Sequence, residues 1–388
     1  MSNDGTARRL LTWLTQRTDE MRALLARAAL AESPTIAPAA QAEMFDLLAE
    51  EFRALDFGVT RIPAWTVGDH LYARPRARRR GASYQLLLGH LDTVWPSGTV
   101  ATMPVRVEGD RLHGPGVYEM KGGLVQMLFA LRALAALRLE PEVTPVVLVN
   151  TDEEVGSRES RRYVERLARG AERALVLEPG LGTAGDLKTA RKGAGWFRLT
   201  VHGRAAHAGA SPEEGRSAIL ELSHQIQRLF ALNDPGHGIT VNVGTIDGGL
   251  RPNVVAAEAT AEIDVRVPTV AAAGEVEAAI RSLTPVQEGC TLAIEGSWRR
   301  PPMEATARNL ALWEVARTAG AQLGLVLDHA STGGASDANL ASPYCATLDG
   351  LGPIGGGAHA PDEHVAISRM PERAALLALL LLAPAQHT

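Results

Sequence analysis

The chain has 388 residues, 39 Lys+Arg against 44 Asp+Glu for a formal net charge of −5, with 46% hydrophobic and 21% charged residues. That composition excludes a disordered or collagen-like chain and gives no support to nucleic-acid binding, which calls for a basic surface. The length exceeds the roughly 250–300 residues at which a single core stops growing, so two domains are expected.

The opening MSNDGTARRLLTWL lacks an apolar stretch ending in a small-residue cleavage site, so no secretory signal is expected. Leu10, Leu11, Leu14, Met21 and Leu24 fall near helical spacing, and Ser33-Pro34 breaks the pattern before a second helix around 40–55. YQLLLGHLDTV (84–94) contains a run apolar on both faces, as in a buried parallel strand. After Gly122-Gly123, LVQMLFALRALAAL reads as a buried helix. TPVVLVNTDEEVG (144–156) and RALVLEPG (173–180) repeat the pattern of an apolar strand with a polar end. Strands alternating with helices predict a mainly parallel α/β sheet.

Beyond Arg191 the texture changes. WFRLTVHG, ITVNVGTI and AEATAEIDVRV alternate apolar and polar residues, as half-exposed antiparallel strands do. SAILELSHQIQRLFAL and AAGEVEAAIRSL have helical periodicity. From about Met303 the α/β character returns, with a helix through 310–320, a Gly-rich STGGASDAN and a late GGGAHAPDEHV. The expectation is an α/β domain (1–191 and 303–388) interrupted by an α+β domain (192–302) of two helices on a four-stranded antiparallel sheet. The run 374–383 is too short for a membrane span and reads as a buried C-terminal helix. Two cysteines, Cys290 and Cys345, make no disulfide framework and fit a reducing, cytoplasmic setting.

In open α/β sheets, ligands bind beyond the carboxyl ends of the strands. His90 and Asp92 follow the first strand, Glu153 and Glu154 the second, and Glu178 the third; His359, with Glu363, lies in the late loop. Each alone has an ordinary reading, such as a hydrogen-bonded turn or a solvated acidic loop. Together, so many carboxylates would repel and raise one another's pKa values, and a divalent cation removes that conflict. Two imidazoles with several carboxylates suit Zn²⁺, and less exclusively Mn²⁺ or Co²⁺. Asp92, two residues past His90, can fix that ring's tautomer.

The ordered set GHLDTV, GPGVYEMKGG, TDEEVGS, LEPG, GRAAHAG, GGASDAN and AHAPDEHV resembles the dinuclear zinc metallopeptidase family. That family includes the glutamate carboxypeptidases, acetylornithine deacetylase, succinyl-diaminopimelate desuccinylase and the aminoacylases. The resemblance implies two Zn²⁺ per chain and a catalytic domain with an inserted dimerisation or lid domain. His90 and Glu178 would hold one ion, Glu154 and His359 the other, and Glu119 would bridge them. It further implies Glu153 as general base, Asp92 as the partner of His90, and His207 as an oxyanion donor, commonly across a homodimer. Asn253 and Arg266 would bind a substrate carboxylate. The expected reaction is hydrolysis of an N-acyl amino acid or a C-terminal peptide bond in a small-molecule or peptide substrate. GHLDTVWPSGTV and LEPG…LKTARKGAGW look most like the glutamate carboxypeptidase branch, where Lys188, Arg191 and Lys192 would meet an acidic side chain or else form a solvated basic loop. An acetylornithine- or succinyl-diaminopimelate-type deacylase is the alternative within the family. One departure stands out: the bridging position is Glu119 where the family has Asp. The extra methylene must be absorbed by a different rotamer or a shifted loop. From this comes a third alternative, a catalytically weakened ligand-binding paralogue or engineered mutant.

Overall fold

The computed structural model describes residues 3–78 and 81–385. In chain order, helices α1 (Asn3–Thr15), α2 (Thr18–Leu30) and α3 (Ala42–Ala54) precede strands β1 (Phe57–Ile62), β2 (His70–Pro75) and β3 (Tyr84–His90). Helix α4 (Gly122–Ala136), β4 (Thr144–Asn150), α5 (Arg161–Ala168) and β5 (Arg173–Val176) follow. Next come β6 (Gly193–His202), α6 (Ala218–Phe230), β7 (Thr240–Gly248), β8 (Glu258–Val267), α7 (Val270–Arg281) and β9 (Thr291–Arg300). The chain ends with α8 (Ala307–Gln322), β10 (Ala346–Leu348) and α9 (Met370–Leu382).

Two compact units result: Met1–Thr189 with Ala305–Ser331 and Ser336–Thr388, and Ala190–Glu304 with Thr332–Ala335. The first unit is built on a six-stranded sheet ordered β1-β2-β4-β3-β5-β10. Strands β4, β3, β5 and β10 run parallel, with Leu86 opposite Val146 on one side and Ala174 on the other. The hairpin β1–β2 adds an antiparallel edge through β2 against β4. Because the four strands are parallel, His90, Asn150 and Val176 all end at the same edge. The sequence pattern does not announce that hairpin; its first strand is mostly exposed or half-exposed.

Burial explains the helices. Nearly every residue of α4 through Leu134 is buried, so it has no polar stripe. It packs on α1 and α9. In α9, Leu376, Leu377, Leu380 and Leu381 are each 0% exposed, and each contributes about 1.5–3 kcal/mol of apolar burial as an upper estimate. Gly123 is required by close approach: a Cβ there would lie 2.1 Å from the Leu177 carbonyl oxygen. The contact brings the start of α4 against the strand end that carries Glu178.

The second unit has its own apolar core. Its four strands are antiparallel in the order β7-β8-β6-β9. Helices α6 and α7 cover one face. Each is N-capped by a side chain, Ser217 on Leu220 N (3.2 Å) and Thr269 on Ala272 N (3.1 Å), a contribution of about 1 kcal/mol apiece. Alternating burial along β6 and β8 matches the alternating sequence.

Candidate active site

His90 ends β3 with its ring 2% exposed. Its Nδ1 donates to the Asp92 backbone carbonyl at 2.9 Å, with the Asp92 carboxylate at 3.4 Å. That arrangement leaves Nε2 at the strand end, 3.6 Å from Glu178 Oε1. Burial pulls the His90 pKa down, but Asp92, Glu178 and Glu153 hold it well above the ordinary histidine value.

Asp92 does more than orient the histidine. It is 0% exposed, accepts from Thr35 Oγ1 at 2.7 Å, and takes the Glu153 and Glu154 amides at 3.3 Å each. Burial pushes its carboxyl up, yet the His90 ring and these donors keep it below the usual carboxylate range. One anion thus positions both the first histidine and the acidic turn after β4. Asp337, in the SDAN segment, secures the same turn from another side. It accepts from Asn150 Nδ2 and Ser157 Oγ, both at 2.5 Å. Ser157 sits at φ 51°, a region that few non-glycine residues enter.

Glu178 follows β5. Its carbonyl accepts from Gly352 N at 2.8 Å. The buried Arg373 donates to the carbonyls of Gly350, Gly352 and Gly185, and desolvation brings its pKa down to about 10. Glu119 lies before α4, where the Glu119–Met120 peptide is cis. One ligand-type atom each from His90, Glu119 and Glu178 lies within 4.8 Å of the others. Burial and the neighbouring Glu178 drive the Glu119 carboxyl well above its ordinary value, and Lys188 and His90 oppose the shift. Two carboxylates this close conflict unless a proton or a cation lies between them.

His359 and Glu154 make a second pair, Nε2 to Oε2 at 3.3 Å. Glu154, together with burial, sets the His359 pKa, and the net shift is upward. His359 adopts φ 57°. Glu154 Oε1 is buried without a hydrogen-bond partner. An orphaned buried carboxylate oxygen is costly, and a cation between these residues would satisfy it. The donor set therefore fits a divalent metal.

His207, Asn253 and Arg266 lie in the second unit. His207 is exposed, and its Nδ1 accepts from Gly209 N and Ala210 N at 3.1 Å each, which leaves the proton on Nε2. The Asn253 carbonyl accepts from Ala208 N at 3.0 Å, so the His207 and Asn253 segments run side by side. Arg266 on β8 forks onto the Asp264 carboxylate at 2.8 and 3.0 Å. Of the three cations noted in sequence, Lys188 is buried beside Glu119 in the first unit, whereas Arg191 donates to Gly334 O at 3.0 Å in the second.

The profile of peptidase family M20/M25/M40 matches residues 86–383, which carry all of these side chains except Thr35. The chain belongs to this family. Carboxypeptidase G2 of Pseudomonas sp. (strain RS-16) is 32% identical over 355 residues, covering 87% of this chain and 82% of that protein. A succinyl-diaminopimelate desuccinylase of Halorhodospira halophila is 29% identical over 380 residues, 92% of this chain and 97% of that one. The crystal structure of aminopeptidase PepT from Bacillus cereus superposes with a TM-score of 0.76 at 20% identity, over 95% of this chain and 98% of that chain. The sheet architecture is therefore that of the M20 peptidases, and the protein is a hydrolytic enzyme of that family.

Proposed function

We propose that the protein is a metal-dependent hydrolase that cleaves the amide bond of an N-acyl amino acid, or of a C-terminal residue bearing a free carboxylate, in the manner of a glutamate carboxypeptidase. The observation that carries this reading is the convergence of His90, Glu119 and Glu178, with the unpaired Glu154 oxygen beside His359. His90 and Glu178 would hold one Zn²⁺, Glu154 and His359 a second, and Glu119 would reach both; Mn²⁺ or Co²⁺ could substitute. Bound there, the cations supply positive charge that acidifies water and polarises a carbonyl.

Glu153 would take a proton from water as its oxygen attacks the amide carbon. It would return that proton to the nitrogen as the C–N bond breaks, and the second proton of the water passes from the new carboxylic acid to the amine, so one water is consumed and a carboxylate and an ammonium leave. Its backbone is fixed for this by the hydrogen bond to Asp92. The His207 Nε2–H is suited to donate to the tetrahedral oxyanion. Arg266 and Asn253 would engage the free carboxylate, with Asp264 preorienting the guanidinium.

The second unit supports a homodimer. Among the described residues strand β7 has one neighbouring strand, β8, and on its other side Asn233 caps Val241 at its start. Ile246, Leu250 and Ile219 near that edge are 66%, 93% and 50% exposed. An open edge flanked by apolar side chains suits pairing with a second copy about a two-fold axis. Both cysteines are free and buried, which favours a cytoplasmic setting. Among the described residues no helix is long and apolar enough to cross a membrane.

A deacylase acting on a succinyl- or acetyl-diamino acid is the second reading, favoured by the likeness to the desuccinylase over nearly its whole length. Turnover of N-acyl-glutamate, N-acetylornithine and N-succinyl-diaminopimelate, with added zinc and after chelation, tests both. Zinc-dependent release of glutamate alone supports the first reading, and release of ornithine or diaminopimelate alone replaces it with the second. The absence of zinc-dependent turnover of any of them defeats both.

A further inference from the structure

Glu363 has the residue type of a metal ligand, but its carboxylate is committed elsewhere. It is 0% exposed and accepts four hydrogen bonds: Oε1 from the amides of Tyr118 (2.9 Å) and Glu119 (3.0 Å), Oε2 from the Gly116 amide (2.9 Å) and Trp95 Nε1 (2.8 Å). Three amides of one tight segment converge on one anion, a backbone nest. Gly116, at φ 74°, turns its N–H into that nest. The Glu363 backbone is fixed too. Its amide donates to Ala360 O at 3.0 Å, and the strand it precedes, His364–Ala366, pairs with Arg111–His113.

The consequence concerns two candidate ligands at once. Glu119 hangs on the segment whose amides the carboxylate gathers, and His359 lies in the loop that carries Glu363. We propose that Glu363 is a positioning residue. Its carboxylate locks the Glu119 turn to the His359 loop, so that both side chains are presented to the metal site as one preformed piece. The proposal rests on the metal-site reading above. It also bears on the longer bridging residue. With the Glu119 amide tied down, the extra methylene is absorbed by the side-chain rotamer and not by a loop shift.

The test compares Glu363→Gln, Glu363→Asp and Trp95→Phe with the unmutated chain. A glutamine keeps one acceptor oxygen and turns its amide hydrogens toward donors, losing about half the nest; Trp95→Phe removes one donor and leaves the charge. Zinc affinity is read by chelator competition, kcat and KM separately on N-acyl-glutamate, and amide hydrogen exchange over residues 114–121 on the metal-free chain. Glu363→Gln is expected to weaken zinc binding at least tenfold, to lower kcat with little change in KM, and to speed exchange at residues 116–119 about tenfold or more. Glu363→Asp should recover part of the affinity, and Trp95→Phe should shift it the same way by less. Zinc affinity and kcat within twofold of the unmutated values in Glu363→Gln overturn the proposal. If that variant does not fold, unchanged zinc affinity in both Glu363→Asp and Trp95→Phe overturns it equally. An unmutated chain that takes up no zinc overturns the metal reading itself, and is told apart because it needs no variant.

Discussion

The two units present their candidate residues in opposite ways. In the first, His90, Glu178 and the Glu153-Glu154 turn sit at the carboxyl ends of parallel strands, and the anions beside them are buried: Asp92 and Asp337 at His90 and the acidic turn, and Glu363 under the Glu119 segment. In the second, His207 is exposed on a loop and Arg266 stands half-buried on an antiparallel strand, tied to its own neighbour Asp264. A parallel sheet covered on both faces gathers polar groups at one edge, where low dielectric makes every interaction strong. An antiparallel sheet with one open face offers groups that already have local partners and that water screens. On the proposed function, the contrast would separate holding and activating, which need rigidity and burial, from recognition of a substrate that arrives from solvent.

On that division, the largest single loss is expected at Glu153, the proposed base. Glu153→Gln should lower kcat by about 10²–10⁴-fold with zinc content near that of the unmutated chain, measured by elemental analysis. Loss of metal together with activity would make Glu153 a ligand and reassign Glu154. Metal removal should then distinguish the units by stability. Zinc at about a thousandfold over its Kd should stabilise the first unit by about 4 kcal/mol and leave the second unchanged. Hydrogen exchange followed separately in α4 and β8, with and without chelator, checks this; equal protection changes in both would erase the contrast.

Most of that contrast is legible in the sequence, for identifiable reasons. Strands β3, β4 and β5 are uninterrupted apolar runs with polar ends, and period-two alternation marks β6 and β8. The β1–β2 hairpin is missed because an exposed edge strand carries no apolar stripe. The roles of Asp337 and Glu363 are missed for a different reason. Their partners, Asn150 and Ser157 for one, Trp95 and the 116–119 amides for the other, are distant in sequence, and no local pattern announces a carboxylate that serves backbone amides. The residue types were visible in GGASDAN and AHAPDEHV, whereas the function of each type came only with the fold.

The open sheet face carries the next effect. Arg266→Ala should raise KM for substrates with a free α-carboxylate by an amount equivalent to about 2–5 kcal/mol, with metal content intact. An α-amide analogue hydrolysed as well as the free acid by the unmutated chain would show that no carboxylate clamp exists. Asp264→Asn, which keeps the shape and removes the charge, should raise KM by less than Arg266→Ala, because the guanidinium remains while its preorientation weakens.

The smallest expected change falls on the rigid side of the contrast, and it runs toward gain. Glu119 stands where the family resemblance calls for aspartate, on a segment whose amides Glu363 gathers. With that backbone fixed, the length of the side chain alone decides where its carboxylate lies relative to His90 and Glu178. A misplacement of about 1 Å can cost 10²-fold in rate, whereas the affinity for metal would be shared with the other proposed ligands. Glu119→Asp should therefore raise kcat about tenfold, equivalent to ~1.4 kcal/mol of barrier, with little change in zinc content. A slower Glu119→Asp enzyme would mean that the site is tuned around glutamate, so that a rigid frame has selected the longer side chain instead of merely tolerating it.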